Sequence, residues 1–166
     1  MPEIATIGVY CFTAEAFLDT LQAADVRRLI DVRQRRGVRG PHFTWANAIR
    51  LQALLAGAGV AYSHHRELAP TTALRQLQYR EDHLAGVGKR SREHLAPAYV
   101  QGYVAAILDQ APLELLLDEL PDQGRAALFC VECAAGACHR SLIAQRLRER
   151  HGFSVLHLTP PQKSEP

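Results

Sequence analysis

The segment from Cys130 to Ser141 concentrates residue types that can do chemistry. It holds three of the four cysteines of the chain, together with Glu132, His139 and Arg140. An apolar run precedes the segment and a helical pattern follows it, so the segment is expected to form a loop between a buried strand and a helix start. Backbone N–H groups at a helix start lack intrahelical partners and favour an anion. The segment therefore predicts an oxyanion pocket.

Cys138 is expected beside that helix start, next to His139 and Arg140. Positive potential stabilises the thiolate, so we expect Cys138 to have a lowered pKa and a nucleophilic sulfur. The planar guanidinium of Arg140 suits phosphate or carboxylate. Glu132 needs a partner if it is buried at a strand end; Arg140 or Arg33 is expected to pair with it and to hold its pKa low. The predicted catalytic residues are Cys138, His139 and Glu132.

Three interpretations of this segment stay open at the level of sequence. The first is an enzyme site, with Cys138 as nucleophile or with Glu132 and His139 as acid and base groups. The second is a phosphate-binding or nucleic-acid-binding module without chemistry. The third is structural, with Cys130 and Cys138 packed in the core and Glu132 paired with a buried arginine. A metal site built from Cys133, Cys138 and His139 is disfavoured, because the spacing matches no standard zinc motif.

Apolar runs of strand length alternate with amphipathic helical patterns along the chain. The predicted strands are residues 4–8, 28–32, 60–64, 126–131 and 153–157. Predicted helices follow the N-cap residues Thr13 and Thr44, and others begin at Pro97, Leu113 and Ser141. Residues 67–92 are predicted to be a loop with short helical pieces. This order predicts a three-layer α/β/α domain over residues 1–158, with a mainly parallel sheet of about five strands and a disordered tail, residues 159–166.

The polar residues that could bind a ligand follow the predicted strands. In a parallel sheet, ligands bind beyond the carboxyl ends of the strands, so these side chains are expected to converge on one edge. Asp31 and Arg33 are expected to form an ion pair there. The predicted ligand-binding residues are Gly8, Tyr10, Asp31, Arg33, Arg140 and Ser141.

Six arginines between residues 27 and 39 stand against a single acid, Asp31. Such a patch attracts phosphate groups. It supports an alternative function, a non-catalytic nucleic-acid-binding module that uses Arg33, Arg35, Arg36 and Arg39.

Composition limits the class of protein. A chain of 166 residues with 48% hydrophobic and 22% charged residues is expected to be one globular domain, and its net charge of +2 says little about partners. It has no apolar run of about 18 residues and no signal-peptide pattern, so we expect a cytoplasmic protein that does not contact membranes. Four cysteines are few for a disulfide scaffold. No cofactor and no oligomeric state is indicated.

Short motifs along nearly the whole chain resemble the family called domain of unknown function 488. They are Thr6-Ile7-Gly8, Phe17-Leu18, Asp31-Val32-Arg33, Val60-Ala61-Tyr62, Glu67-Leu68, Cys130-Val131-Glu132, Cys138-His139-Arg140-Ser141 and Val155-Leu156-His157-Leu158. The resemblance implies a compact α/β domain of the prokaryotic cytoplasm without an established activity. It also implies a shared pocket that contains Asp31, Arg33, Glu132, Cys138, His139 and Arg140. The chain departs from the family pattern at Val9-Tyr10, where His-Ser is usual, at Ala69, where Gly is usual, and at Cys133.

Together these patterns predict an enzyme that binds a small anionic or phosphate-bearing ligand, such as a nucleotide or a nucleic-acid component. Arg33 and Arg140 are expected to hold the anion. Backbone N–H groups at the helix start would supply further donors.

Overall fold

A computed structural model describes residues 2–162 of the chain. Its centre is a five-stranded sheet in the order β3-β2-β4-β1-β5, in which every neighbouring pair is parallel. The strands are β1 (Glu3–Ile7), β2 (Val26–Asp31), β3 (Ala61–His64), β4 (Arg125–Phe129) and β5 (Ser154–His157). The helices are α1 (Ala14–Ala23), α2 (Ala48–Gly57), α3 (Thr72–Ala85), α4 (Pro97–Tyr103), α5 (Glu114–Asp118) and α6 (His139–His151). A π-helical turn, Val104–Leu108, extends α4.

The helices cover both faces of the sheet. From β1 the chain proceeds in one direction through β2 to β3, whereas from β4 it proceeds in the other direction to β5. Crossover connections between parallel strands are right-handed, so α1 and α2 lie on one face and α6 lies on the other. The predicted three-layer α/β fold with a parallel sheet of about five strands is confirmed.

Two of the predicted helix boundaries follow from their capping residues. The side chain of Thr13 accepts a hydrogen bond from the Ala16 N–H (3.1 Å) at the start of α1. Gly152 ends α6 in the left-handed region (φ 70°), as expected for a glycine just past a helix.

The prediction that Thr44 caps a helix was wrong. Residues Pro41–Ala46 form a 3₁₀ turn, and α2 begins only after Asn47. The turn packs Trp45 against the ring of Phe17 (4.8 Å between centroids), whereas Ile49, predicted on the same apolar stripe, is 85% exposed. The indole of Trp45 is already buried by the 3₁₀ turn, before α2 starts. The helix therefore packs Leu51 and Leu55 against the core and leaves Ile49 in solvent.

The prediction of a mainly irregular segment over residues 67–92 was also wrong, because α3 occupies fourteen of these residues. Its first turn is capped by Thr71, whose hydroxyl accepts from the Leu74 N–H. Two of its buried side chains are polar: Gln78 donates to Asp82 (2.8 Å) and accepts from the Ala96 N–H (2.9 Å). A helix whose inward face carries polar residues lacks the apolar stripe by which helices are found in a sequence.

The described part of the chain contains no helix that is long and apolar enough to cross a membrane. Residues 159–162 of the predicted tail have no regular secondary structure. The rest of that tail, residues 163–166, lies outside the described residues.

A buried histidine after β3 bridges two carboxylates. His65 contacts Glu67 through Nδ1 (2.6 Å) and Glu119 through Nε2 (2.9 Å). Burial disfavours the charged ring, but the hydrogen bonds to Glu119 and Glu67 outweigh it and raise the pKa of His65. The bridge is therefore fully present below the ordinary histidine pKa of about 6.5, and it is lost as the pH rises through the higher pKa of the folded state.

We expect His65→Gln to reduce the free energy of unfolding by about 1 kcal/mol at mildly acidic pH, where the ring is charged, and by less in alkaline solution, where it is neutral. The effect is small because the two carboxylates are partly exposed and solvent screens the bridge. Denaturant unfolding of both proteins across this pH range measures the difference. His94→Gln is the matched control, because His94 is exposed and makes no hydrogen bond or ion pair within residues 2–162. An equal loss at both ends of the pH range would contradict the charged bridge.

Candidate functional site

A cavity of about 670 Å³ opens at the carboxyl ends of β1, β2 and β4. Its lining includes residues that follow these strands, the start of α6, one side of α3 and the loop of residues 88–92. Seven cationic side chains line it: Arg33, Arg35, Arg39, Arg75, Lys89, Arg90 and Arg92. Glu132 is the one carboxylate among the described residues that line it. The cavity is therefore strongly electropositive.

Two cysteines and a histidine form one side of this cavity. Cys130 directly follows β4, and Cys138 is the extended residue before α6, which begins at His139. The His139 Nδ1 atom lies 3.9 Å from the Cys130 sulfur and 3.8 Å from the Cys138 sulfur. The His139 Nε2 atom lies 2.7 Å from the Val32 carbonyl oxygen. Because a carbonyl only accepts, Nε2 carries the proton and donates it, and Nδ1 faces the two sulfurs.

Ionisation is unequal between the two thiols. Burial opposes the Cys138 thiolate, but the hydrogen bond from Cys130 and the charges of Arg140 and His139 outweigh burial and place the pKa of Cys138 well below its usual range. Burial and the neighbouring Cys138 sulfur raise the pKa of Cys130. The direction for Cys138 agrees with that expected from the sequence.

The partner predicted for Glu132 was wrong. Glu132 is 8% exposed, and its Oε1 atom contacts Arg92 at 3.4 Å rather than Arg140 or Arg33. Arg92 is shared with Asp82 at 3.5 Å, and Oε2 of Glu132 has no hydrogen-bond partner among residues 2–162. Burial and the charge of Cys138 raise the pKa of Glu132 to about 7, where the sequence predicted a low value. One long ion pair does not replace the water that the buried carboxylate loses.

Arg140 holds the loop rather than lining the cavity. Its guanidinium donates to the carbonyl oxygens of Glu132 (2.7 Å) and Cys133 (3.2 Å). Ser141 likewise donates to the Cys138 carbonyl (2.8 Å), and Gly8 lies against the backbone of Glu132. These three predicted ligand-binding residues therefore shape the loop between β4 and α6.

Asp31 and Arg33 form the expected ion pair, which is buried. The carboxylate of Asp31 accepts from Arg33 Nε (2.9 Å) and from a terminal nitrogen of Arg33 (2.8 Å), and Tyr62 donates to it (2.6 Å). The remaining nitrogen of Arg33 donates to the Ala46 carbonyl (2.8 Å). Arg33 lines the cavity, but each of its three nitrogens already has an acceptor in the protein.

The family model described as domain of unknown function DUF488 matches residues 13–147. The chain belongs to the DUF488 family. No curated protein and no solved structure matches it. The matched part of this DUF488 chain contains every predicted site residue except Gly8 and Tyr10, which precede it.

Four cationic residues of this DUF488 cavity were missed by the sequence analysis. Arg75 lies on α3, and Lys89, Arg90 and Arg92 lie in the loop that follows it. The run Lys-Arg-Ser-Arg at residues 89–92 is the sequence signal that points to them. The prediction of a loop with short helical pieces over residues 67–92 gave these four residues no position relative to the sheet edge.

An aromatic pair lies near this cationic loop. Tyr10, which was predicted in the pocket, lines the cavity and contacts Phe43 edge to face (5.4 Å between centroids). The guanidinium of Arg90 lies over both rings, 5.3 Å from the centre of Tyr10 and 5.1 Å from that of Phe43. This cation–π contact orients Arg90 at the cavity wall.

A disulfide bond that the sequence analysis did not predict links Cys11 to Cys133 (5.4 Å between Cα atoms). It joins the loop after β1 to the loop after β4 in this DUF488 domain. Cys133 is therefore paired with Cys11 and does not join Cys138 and His139, as the metal site considered from the sequence would require.

Proposed function

We propose that this chain is an enzyme that binds a phosphate-bearing ligand, such as a nucleotide or a nucleic-acid component, in the cavity at the carboxyl ends of the strands. The observation that carries the proposal is the lining, in which seven cations surround one carboxylate. A volume of about 670 Å³ is within the ordinary range for small-ligand sites. An excess of positive charge in a concave site attracts anionic ligands and concentrates them.

The cations of the cavity differ in how far they are engaged within the protein. Arg33 and Arg92 are buried and pair with carboxylates, so they fix the wall. Lys89 is only partly buried, and no hydrogen bond or ion pair engages its ammonium group within residues 2–162. Arg35 and Arg39 likewise make no side-chain hydrogen bond there. These freer side chains are the ones that would contact phosphate.

The reaction would take place where Cys138 and Glu132 line the same cavity. Cys138 would be the nucleophilic sulfur. Glu132, whose Oε2 atom is unpaired among the described residues, would transfer protons. His139 would hold its position against the Cys138 sulfur through its hydrogen bond to Val32.

The arginine patch favours this proposal over a nucleic-acid-binding module. Arg33, Arg35 and Arg39 line the cavity, whereas Arg36 donates to the Tyr62 hydroxyl at 3.5 Å. The four arginines therefore do not form one continuous surface, because three line the cavity and Arg36 contacts Tyr62. An extended nucleic acid is bound more effectively by a continuous cationic face.

Lys89→Gln is expected to weaken the binding of a nucleoside monophosphate by about ten- to a hundredfold, because a charge-assisted contact to phosphate contributes about 1.5–3 kcal/mol. Isothermal titration calorimetry with inorganic phosphate, the nucleoside monophosphate and the corresponding nucleoside measures this. Arg66→Gln is the control, since it removes the same charge from an exposed residue outside the cavity.

Binding of the nucleoside as tightly as its monophosphate would overturn the proposal. Equal weakening by both substitutions would also overturn it, because it would show a diffuse charge effect. The proposal would also be overturned if neither inorganic phosphate nor the nucleoside monophosphate bound to the protein. A salt series on oligonucleotide binding tests the alternative, since phosphate contacts to an extended chain weaken steeply with salt.

A further inference from the structure

The two free cysteines and His139 are arranged like the ligands of a metal ion. The Cys130 sulfur, the Cys138 sulfur and the His139 Nδ1 atom all lie within 4.8 Å of one another. In tetrahedral zinc sites, Zn–S distances of about 2.3 Å and Zn–N distances of about 2.0–2.1 Å place the ligand atoms about 3.5–3.8 Å apart. The two sulfur–nitrogen distances here, 3.9 and 3.8 Å, are close to that spacing.

The histidine is also held in the orientation that metal ligation requires. Its Nε2–H donates to the Val32 carbonyl, so Nδ1 is the nitrogen that faces the two sulfurs and is placed to bind a metal ion. Metal-binding histidines commonly fix their second nitrogen by such a hydrogen bond to a carbonyl or carboxylate.

We propose that Cys130, Cys138 and His139 bind a thiophilic divalent metal ion of the zinc class, with a fourth position open to the cavity. Two thiolates and one imidazole favour such an ion over magnesium or calcium, which prefer oxygen ligands. Three protein ligands with an open position are the arrangement of catalytic rather than structural zinc sites.

The environment of the cluster supports an open fourth position. All three side chains line the cavity, so a ligand can approach the metal from that side. Glu132 lines the same cavity, is 8% exposed, and has an Oε2 atom without a partner in the described part of the chain. A carboxylate in the same cavity could accept the proton of a water bound at the open position.

The inference goes beyond the proposed function and rests on it only for the position of the phosphate-bearing ligand. A sulfur bound to a metal is not a free nucleophile. Metal-loaded and metal-free protein should therefore differ in the reactivity of Cys138. Loading should protect this residue from alkylation, whereas binding of phosphate by Lys89 should persist without metal.

The test uses the full chain, purified without chelator and then stripped and reloaded with cobalt(II) or zinc(II) in the absence of phosphate. We expect one metal ion per chain by elemental analysis and a cobalt spectrum with thiolate-to-cobalt charge-transfer and tetrahedral ligand-field bands. Cys130→Ser, Cys138→Ser and His139→Gln should each weaken cobalt binding at least about a hundredfold. The double substitution Cys11→Ser, Cys133→Ser is the matched control and should leave the spectrum unchanged.

Protection of wild-type Cys138 from iodoacetamide by zinc, read by peptide mass spectrometry, gives a result that does not depend on any variant folding. Substoichiometric metal in the reloaded protein, or unchanged alkylation of Cys138 with zinc present, would overturn the metal site. Loss of the cobalt spectrum only in the Cys11 and Cys133 double variant would place the metal elsewhere and would also overturn it. Phosphate binding measured on stripped protein reports separately on the proposed function.

Discussion

Asp31→Asn is expected to lower the free energy of unfolding by about 3–5 kcal/mol, because it leaves a buried guanidinium without its counter-charge. Asp31 is fully buried and Arg33 is 2% exposed. Asparagine has nearly the same shape as aspartate, so the change removes charge rather than volume. Its amide can accept only part of the hydrogen bonding that the carboxylate receives from Arg33 and Tyr62. Denaturant unfolding measures the loss.

A second Asp-x-Arg pair in the same chain provides the control. Asp25 and Arg27 are also separated by one residue, and the Arg27 Nε atom lies 2.6 Å from Asp25 Oδ1. Their side chains, however, are 60% (Arg27) and 51% (Asp25) exposed. Asp25 has a positive φ of 50°, a conformation that asparagine tolerates well. Asp25→Asn should therefore change the free energy of unfolding by less than about 1 kcal/mol. Equal effects of the two substitutions would show that burial does not determine the strength of the Asp31–Arg33 pair.

Gly8→Ala is expected to destabilise the fold by about 3 kcal/mol, since overpacking here displaces backbone rather than a flexible side chain. An added Cβ atom would overlap the carbonyl oxygen of Glu132 and lie 2.9 Å from its carbonyl carbon. The same carbonyl accepts the hydrogen bond by which Arg140 holds the loop. A shift of the loop would disturb this contact and move Glu132 within the cavity. Unfolding experiments give the loss of stability, and calorimetry with inorganic phosphate shows the effect on the cavity.

Gly57→Ala is the matched control for that substitution. A Cβ atom at Gly57, the last residue of α2, would meet no other atom within 4 Å. Replacing a helical glycine with alanine at a compatible position stabilises a protein by about 0.4–1 kcal/mol. If Gly8→Ala were tolerated as well as Gly57→Ala, the close approach of β1 to the loop after β4 would not constrain the site.

Much of the fold could be predicted because local patterns and long-range packing agree. Thr13 and Gly152 lie at helix ends, and the apolar run before Cys130 becomes the buried strand β4. The agreement fails at α3, whose inward side chains include Gln78 and Asp82. These polar residues are buried because they bond to each other and to the Ala96 N–H, which no local pattern can show.

The site was predicted in part for the same reason. A strand, a loop and a helix start are local features, so Glu132, Cys138 and His139 could be placed together. The role of Arg140 as a loop anchor could not be predicted, because its acceptors are backbone carbonyls with no signature in the sequence. The disulfide between Cys11 and Cys133 spans 122 residues and depends on the strand order. The cavity cations of residues 89–92 depend on the position of α3.

The strand order also bears on how the chain assembles during synthesis. Within residues 2–162, β1 is hydrogen-bonded only to β4 and β5, and β2 is hydrogen-bonded to β3 and β4. Once residues 26–64 have left the ribosome, β2 and β3 can pair, but β1 has no partner strand until Arg125–Phe129 emerges. Long-range pairing of this kind slows folding. Among the five strands, β1 is therefore synthesised before the others but is one of the last to join the sheet. Until β4 inserts between β1 and β2, the edges of these two strands stay open to wrong partners.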